Sequence, residues 1–245
     1  DCFEGLSRIM MRAIYLVIAL FGMPALAMAE AENDPFEGWN RAMFSFNQKA
    51  DKYVLKPVAE GYQAVTPAPV RKGVSNFFNN LGEPITAANS VLQAKPGKAA
   101  RSLTRFVFNT TFGLFGIFDV AGAMGIEREN EDLGQTLAYW GVGSGPYLVL
   151  PVLGPSNLRD LGGRFGDQPL NPISWQDEVG TTEMLISDGI QTRAQLLGME
   201  PKSVGDPYVL MRSAYEQRRR YQINDGIVVD LFLDDPFLDD PSVAQ

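Results

Sequence analysis

Apolar positions recur along this chain with a helical period. Phe36, Met43, Phe46 and Tyr53 fall on one side of a 3.6-residue turn. Val70, Val74, Phe77, Phe78 and Leu81 mark a second such face, and Leu103, Phe106 and Val107 a third. Start signals accompany them. Asp34 is a good N-cap, Pro35 suits the first helical position, and Glu37 stands three residues after the cap. Asp206-Pro207 repeats that start, and Pro57, Pro67 or Pro69, Pro84 and Pro96 each stand where a helix could begin. Only Tyr147–Leu150 has strand character, and Pro146 and Pro151 fence it into a brief pairing at most. No repeat or low-complexity linker divides residues 33 to 221. The pattern predicts a mainly α protein, with a Gly/Pro-rich loop region from Gly141 to Pro172.

The segment from Met11 has the layout of an export signal. Arg12 supplies positive charge, Ala13 to Phe21 form an apolar core too short to span a bilayer, and Ala27-Met28-Ala29 is an A-x-A cleavage site. Met10 and Met11 are candidate starts, with "DCFEGLSRI" upstream. Cleavage after Ala29 would leave Glu30 as the first mature residue. Three parts are therefore expected: residues 1–29 as upstream residues plus signal, 30–224 as one helical domain, and 225–245 as a flexible acidic tail. That tail carries six aspartates and no basic residue from Asp225 onward. Its apolar pairs, such as Phe232-Leu233, could dock on a partner.

Composition narrows the chemistry. The 245 residues contain no histidine and one cysteine, Cys2. Ser-His-Asp and Cys-His catalysis, HExxH zinc sites, cysteine metal clusters and internal disulfides are all removed. No cofactor and no enzymatic activity are expected. The net charge of −8 argues against nucleic acid. Gly141-Val142-Gly143-Ser144-Gly145 misses the G-x-S-x-G frame by one place, and Lys95-Pro96-Gly97-Lys98 is not a P-loop. Arg159-Asp160 and Arg164-Asp167 read as structural ion pairs, and Arg218-Arg219-Arg220 as a solvated helix end.

Residues 106–125, "FVFNTTFGLFGIFDVAGAMG", hold one charge, Asp119. Phe108, Phe112, Phe115 and Phe118 fall on one face of a continuous helix, interleaved by Gly113 and Gly116. Such a helix is either buried core or a segment in contact with lipid, with its glycines as a hinge. The second reading makes Phe108, Phe112, Gly113, Phe115, Gly116, Phe118 and Asp119 the candidate lipid path or gate. Asp119 would then find its water at a channel mouth.

The runs "NDPFEGWNRAMFSFN", "YVLKPVAEGY", "PAPVRKGVSNFFNNLGEP", "LGQTLAYWGVGSGPYLVLPVLGPSNLRD" and "IQTRAQLL" resemble the MlaA (VacJ) family, in family order from Asp34 to Tyr221. The resemblance implies a single ring-like helical domain lying in the periplasmic leaflet of the outer membrane. It implies a trimeric porin as partner and an amphipathic channel. Through that channel mislocalised phospholipid leaves the outer leaflet for a periplasmic lipid-binding carrier of the Mla pathway, which maintains lipid asymmetry. Family members commonly carry a lipobox, whose cysteine follows the apolar core; Cys2 precedes it. In this setting Phe36, Trp39, Phe44, Phe46 and Tyr53 suit a membrane interface, where one end of the ring is apolar and the other wet. The alternatives are a periplasmic module that organises envelope proteins without moving lipid, and a histidine-free hydrolase, for which no sequence frame is present.

Overall fold

α1 (Glu37–Ala50) begins two residues after the start the signals predict: Asp34 and Pro35 form a turn ahead of it, and Phe36 is the N-cap. The Asp34 carboxylate accepts the Phe36 N–H at 3.1 Å. A computed structural model describes residues 34–175, 178–198 and 205–227 of the chain. The expected cleavage site at Ala27, Ala29 and Glu30, and the acidic tail beyond Ile227, lie outside the described residues. After α1 a π-helical turn (Asp51–Leu55) leads into α2 (Lys56–Val65). The long helices α3 (Ala68–Leu92) and α4 (Pro96–Thr111) pack as an antiparallel pair. Then follow α5 (Val120–Ala123), α6 (Leu133–Tyr139), the strands β1 (Tyr147–Leu150) and β2 (Gly154–Asn157), and α7 (Leu158–Gly166). Two 3₁₀ turns precede α8 (Glu178–Leu196) and α9 (Pro207–Ile223).

The prolines act as predicted with two exceptions. Pro69, Pro96 and Pro207 occupy first-turn positions of α3, α4 and α9, where a missing N–H costs nothing. Pro57 follows the π turn inside a helical run that is unbroken from α1 into α2. Pro84 starts no helix; it lies inside α3. Packing against α4 carries the helix through it, overriding the local penalty.

Burial is inverted relative to an ordinary soluble domain. The largest fully enclosed side chains are Gln93, Gln135, Glu83 and Glu131, ahead of Val149. On α3 the buried stripe is Asn80, Glu83, Thr86, Asn89 and Ser90, and on α4 it is Ser102, Arg105 and Asn109. These stripes face each other. Arg105 Nε donates to Glu83 Oε1 at 2.9 Å, and Asn80 Nδ2 to Thr110 Oγ1 at 2.8 Å. The apolar residues Val91, Leu92, Leu103 and Val107 of the same helices are exposed. The apolar periodicity therefore locates the helices, but the face it marks is not the buried one.

The enclosed apolar cluster is small. Tyr147, Val149 and Tyr208 pack with Met43, Phe44, Met211 and Tyr215, joining α1, β1 and α9. β1 pairs antiparallel with β2, from Tyr147 opposite Asn157 to Leu150 opposite Gly154. The brief pairing is thus realised, and two asparagines of α1 extend it. Asn40 donates to the Tyr147 carbonyl at 3.0 Å and accepts from the Val149 N–H at 2.8 Å. Two turns later, Asn47 donates to the Leu150 carbonyl at 2.8 Å and accepts from the Val152 N–H at 2.7 Å. The two amides act as a third strand edge. Asn40 is fully buried. Asn40→Ala strands a buried carbonyl and a buried N–H, and should cost about 2–4 kcal/mol. Chemical denaturation in detergent reads this directly; a loss below about 0.5 kcal/mol would show the hairpin holding without the clamp.

Candidate functional site

A cavity of about 530 Å³ lies among α3, the 128–132 loop, the β-hairpin, α7 and α9. That is the size of a small-molecule site. Gly82, Ile85 and Thr86 contribute from α3, and Arg128, Glu131 and Asp132 from the loop. Ser156, Asp160, Arg164 and Asp167 lie on β2 and α7 or just beyond, and Tyr215, Arg218 and Arg219 come from α9. Close helix packing brings the acids together. A Cβ on Gly163 would lie 2.3 Å from the Gly134 nitrogen, so α6 and α7 meet backbone to backbone beside Asp132 and Asp160.

Arg219 organises one wall. Its Nη1 and Nη2 each contact Asp132 at 2.6 Å, and Nη2 contacts Asp160 at 3.0 Å. Burial disfavours both charges, but pairing outweighs it: Arg219 is held above and Asp132 below its ordinary range. Asp160 also accepts from the Tyr215 hydroxyl at 2.6 Å and Asn157 Nδ2 at 2.8 Å. Beside Asp132 in the chain, Glu131 accepts from Lys98 at 2.6 Å and Gln93 at 3.0 Å. Lys95 and Lys98 both reach Asp225, at 2.5 and 2.7 Å, so the first aspartate of the expected tail is tied to α4.

Asp167 also lines the cavity. It accepts from Asn89 Nδ2 at 2.8 Å and the Leu133 N–H at 2.9 Å. Burial pushes its carboxyl up from 3.8 to about 6. Folding therefore favours its protonated form. The stability this contributes is complete below about pH 4 and is lost as pH rises through about 6, by about 3 kcal/mol. Wild type should lose that stability between pH 4 and 7 in denaturation curves, and Asp167→Asn should flatten this part of the profile. An unchanged profile in the variant would assign the pH dependence to another group.

Several expectations change here. Arg159 Nε does pair with Asp160, at 3.0 Å. Asp167 instead bonds Asn89 and Leu133, and Arg164 points to the cavity without it. The Arg218–Arg220 run is not a uniformly solvated helix end, because Arg219 is buried among carboxylates.

The Phe/Gly segment is neither the continuous helix nor the buried core the sequence suggested. α4 stops at Thr111, and Leu114, Phe115 and Gly116 all have positive φ. Phe112, Phe115 and Phe118 therefore share no helix face, although Phe108 still tilts against Phe112 with ring centroids 5.6 Å apart. Phe115 is 72% exposed and Phe112 and Phe118 are also exposed, while Gly113 and Gly116 are buried. The glycines lock the turn. A Cβ on Gly113 would lie 2.2 Å from the Phe118 carbonyl oxygen, and one on Gly116 would lie 2.5 Å from Asn80 Cβ. Asp119 is not a lone charge: it accepts from Arg105 at 2.9 Å and Asn109 at 3.1 Å, and caps α5 through the Gly122 N–H at 2.9 Å. None of these residues lines the 530 Å³ cavity.

Four of the five interface aromatics, Phe36, Trp39, Phe46 and Tyr53, are exposed. Phe44 turns inward onto Tyr208, 5.9 Å between ring centroids. The residues the sequence reading missed are the polar stripe of α3, Arg128 to Asp132, and Arg219. The stripe's own spacing, Asn80, Glu83, Thr86 and Ser90, is a helical face written in polar letters.

A helical body with a polar cavity inside and aromatic and aliphatic side chains outside is the inverse of a soluble domain, and exposed apolar surface on this scale marks a membrane or partner. No helix among the described residues is long and apolar enough to cross a membrane. The chain belongs to the MlaA lipoprotein family, whose model matches residues 32–222. It is 39% identical to the intermembrane phospholipid transport system lipoprotein MlaA of Escherichia coli K12, over 80% of this chain and 81% of that protein. The protein of that name from Haemophilus influenzae is 34% identical, over 91% and 94%. A solved structure from work on the structural basis for maintenance of bacterial outer membrane lipid asymmetry superposes with a TM-score of 0.73 at 39% identity, covering 79% of this chain and all of that one.

Proposed function

We propose that this protein moves phospholipid in the bacterial envelope and so maintains outer-membrane lipid asymmetry. It lies in the periplasmic leaflet of the outer membrane beside a trimeric porin. A phospholipid that has strayed into the outer leaflet enters with its headgroup in the polar cavity, and leaves toward a periplasmic lipid-binding carrier. The names of the relatives support this reading, and one observation carries it: the inverted burial. A headgroup needs a polar interior, and an apolar exterior such as Trp39, Phe46, Val107 and Phe115 needs lipid around it. Moving a lipid needs a sheltered route, since exposing acyl chain to water costs about 0.8 kcal/mol per CH₂.

The Phe112–Phe118 turn is proposed as the lipid-facing lip of that route, a rigid apolar knob in place of a flexible hinge. Phe115→Ala should then change fold stability by less than about 0.5 kcal/mol, because the ring is exposed, yet weaken membrane partition. A stability loss of several kcal/mol would place the ring in core packing. The transport reading is tested by extracting the protein from native membranes and quantifying bound phospholipid, alongside outer-leaflet phospholipid in cells lacking it. Lipid-free protein together with an unaltered outer leaflet would leave a module that only organises envelope proteins.

A further inference from the structure

A second cavity, of about 340 Å³, lies where α2, α3 and α8 meet, and it shares no lining residue with the first. Hydrogen bonds join the three helices around it. Gln63 of α2 donates to the Ala194 carbonyl of α8 at 2.6 Å. Gln191 of α8 donates to the Arg71 carbonyl of α3 at 3.0 Å, and Gln195 of α8 to Ser75 Oγ of α3 at 2.6 Å. Arg71 is fixed as well. Its Nη1 donates to the Gln63 and Thr66 carbonyls at 3.0 and 2.6 Å, which leaves Nε and Nη2 unengaged among the described residues. Lys72, next in the chain, lines the same space and forms no ion pair or hydrogen bond there. Among the described residues no carboxylate lines this cavity, so its two cations are unbalanced; in the first cavity four arginines meet four carboxylates. Gln191 is 3% exposed, and with Nε2 spent on Arg71 its Oε1 has no partner. A buried acceptor without a donor is costly, so a hydroxyl or amine in this space would be stabilising. Next along the same helices, Val65, Val70 and Leu196 are exposed.

Resting on the reading that the apolar exterior lies in lipid, we infer that this cavity is a second phospholipid site, separate from the transport cavity. The phosphodiester seats on Arg71 and Lys72, and a headgroup hydroxyl or amine donates to Gln191 Oε1. The acyl chains run out over Val65, Val70 and Leu196. The free edge of a guanidinium matches phosphate oxygens in geometry as well as charge, and the neighbouring ammonium adds a point charge. Arg71 is held in place before the lipid arrives, so little order is lost on binding. The lipid held here is a resident of the surrounding leaflet, not the cargo.

The test places a photoreactive side chain at Gln195, in the full chain in nanodiscs of equal phosphatidylglycerol and phosphatidylethanolamine. The same probe at Ile85 reads the transport cavity in parallel. Gln195 should give phospholipid adducts attached at the headgroup. Lys72→Gln, at an exposed position, should cut that yield about tenfold, the loss of one charge-assisted hydrogen bond, and leave the Ile85 yield unchanged. Lys49→Gln removes an exposed lysine outside both cavities and should keep the Gln195 yield within about twofold. Ile85 adducts without Gln195 adducts, a Gln195 yield indifferent to Lys72→Gln, or an equal fall in Lys49→Gln would each overturn the second site and leave the transport cavity standing. Inorganic phosphate bound by lipid-free protein through Lys72, with no lipid adduct at Gln195, would assign the cavity to free phosphate and overturn the lipid site. Lys72-dependent adducts at Gln195 with none at Ile85 would support the second site and overturn the transport cavity.

Discussion

Arg219→Leu should destabilise the protein by about 3–5 kcal/mol, the most of any single change considered. The substitution fits sterically, but it leaves Asp132 and Asp160 facing each other across a buried wall with their shared cation gone. Asp160 keeps Arg159 at 3.0 Å, but Asp132 loses the cation that grips it twice, and breaking such a pair from one side costs more than never having built it. Arg219→Lys should cost less but still measurably, since an ammonium lacks the fork that spans both acids. Combining Arg219→Leu with Asp132→Asn and Asp160→Asn should recover much of the loss, because the three act as a unit. Chemical denaturation of the four proteins in one detergent decides it. A triple variant as unstable as Arg219→Leu alone would mean that Arg219 acts through packing.

Gly82→Trp should abolish lipid carriage while leaving the fold near wild-type stability. Gly82 lines the cavity, and a Cβ there would meet only Arg128 Nη2, at an unstrained 3.7 Å. The indole would extend into space that the proposed function assigns to the headgroup. Cells carrying it should accumulate outer-leaflet phospholipid as if the protein were absent, and the purified variant should hold about tenfold less lipid than wild type. Full lipid carriage with a folded Gly82→Trp protein would remove the cavity from the route. Gly113→Val and Asp119→Leu cannot serve this purpose. The first drives a side chain into the Phe118 carbonyl, and the second strips Arg105 of a partner, so both would lose the turn along with any transport.

The helices were legible in the sequence because their punctuation is local. Asp206-Pro207 starts α9 where the capping pattern places it, and Asp34-Pro35 lies two residues ahead of the start of α1. Which face each helix buries was not legible from apolar periodicity, since that rule presumes water outside. Val70 and Leu103 mark true helical faces, yet both are exposed, while Asn80, Glu83 and Arg105 are buried. Asp119 looked solitary because Arg105 and Asn109 lie fourteen and ten residues earlier, on a helix that ends before the turn. Arg219 looked solvated for the same reason. Its partners Asp132 and Asp160 are 87 and 59 residues away, and no local pattern joins them. The family, by contrast, was legible from several separated runs in one order, which the match over residues 32–222 bears out.

The central claim is that the inside of this molecule meets lipid headgroups while its outside meets lipid tails. Site-specific photocrosslinking in intact envelopes tests both halves at once. A photoreactive side chain replacing Ile85 or Gln168 probes the cavity, and one replacing Trp39 or Phe115 probes the apolar exterior. The account predicts phospholipid adducts from all four, with the cavity probes attached at the headgroup and the outer probes on the acyl chains. Adducts from Trp39 and Phe115 alone, with water or protein the only partner of Ile85 and Gln168, would contradict it.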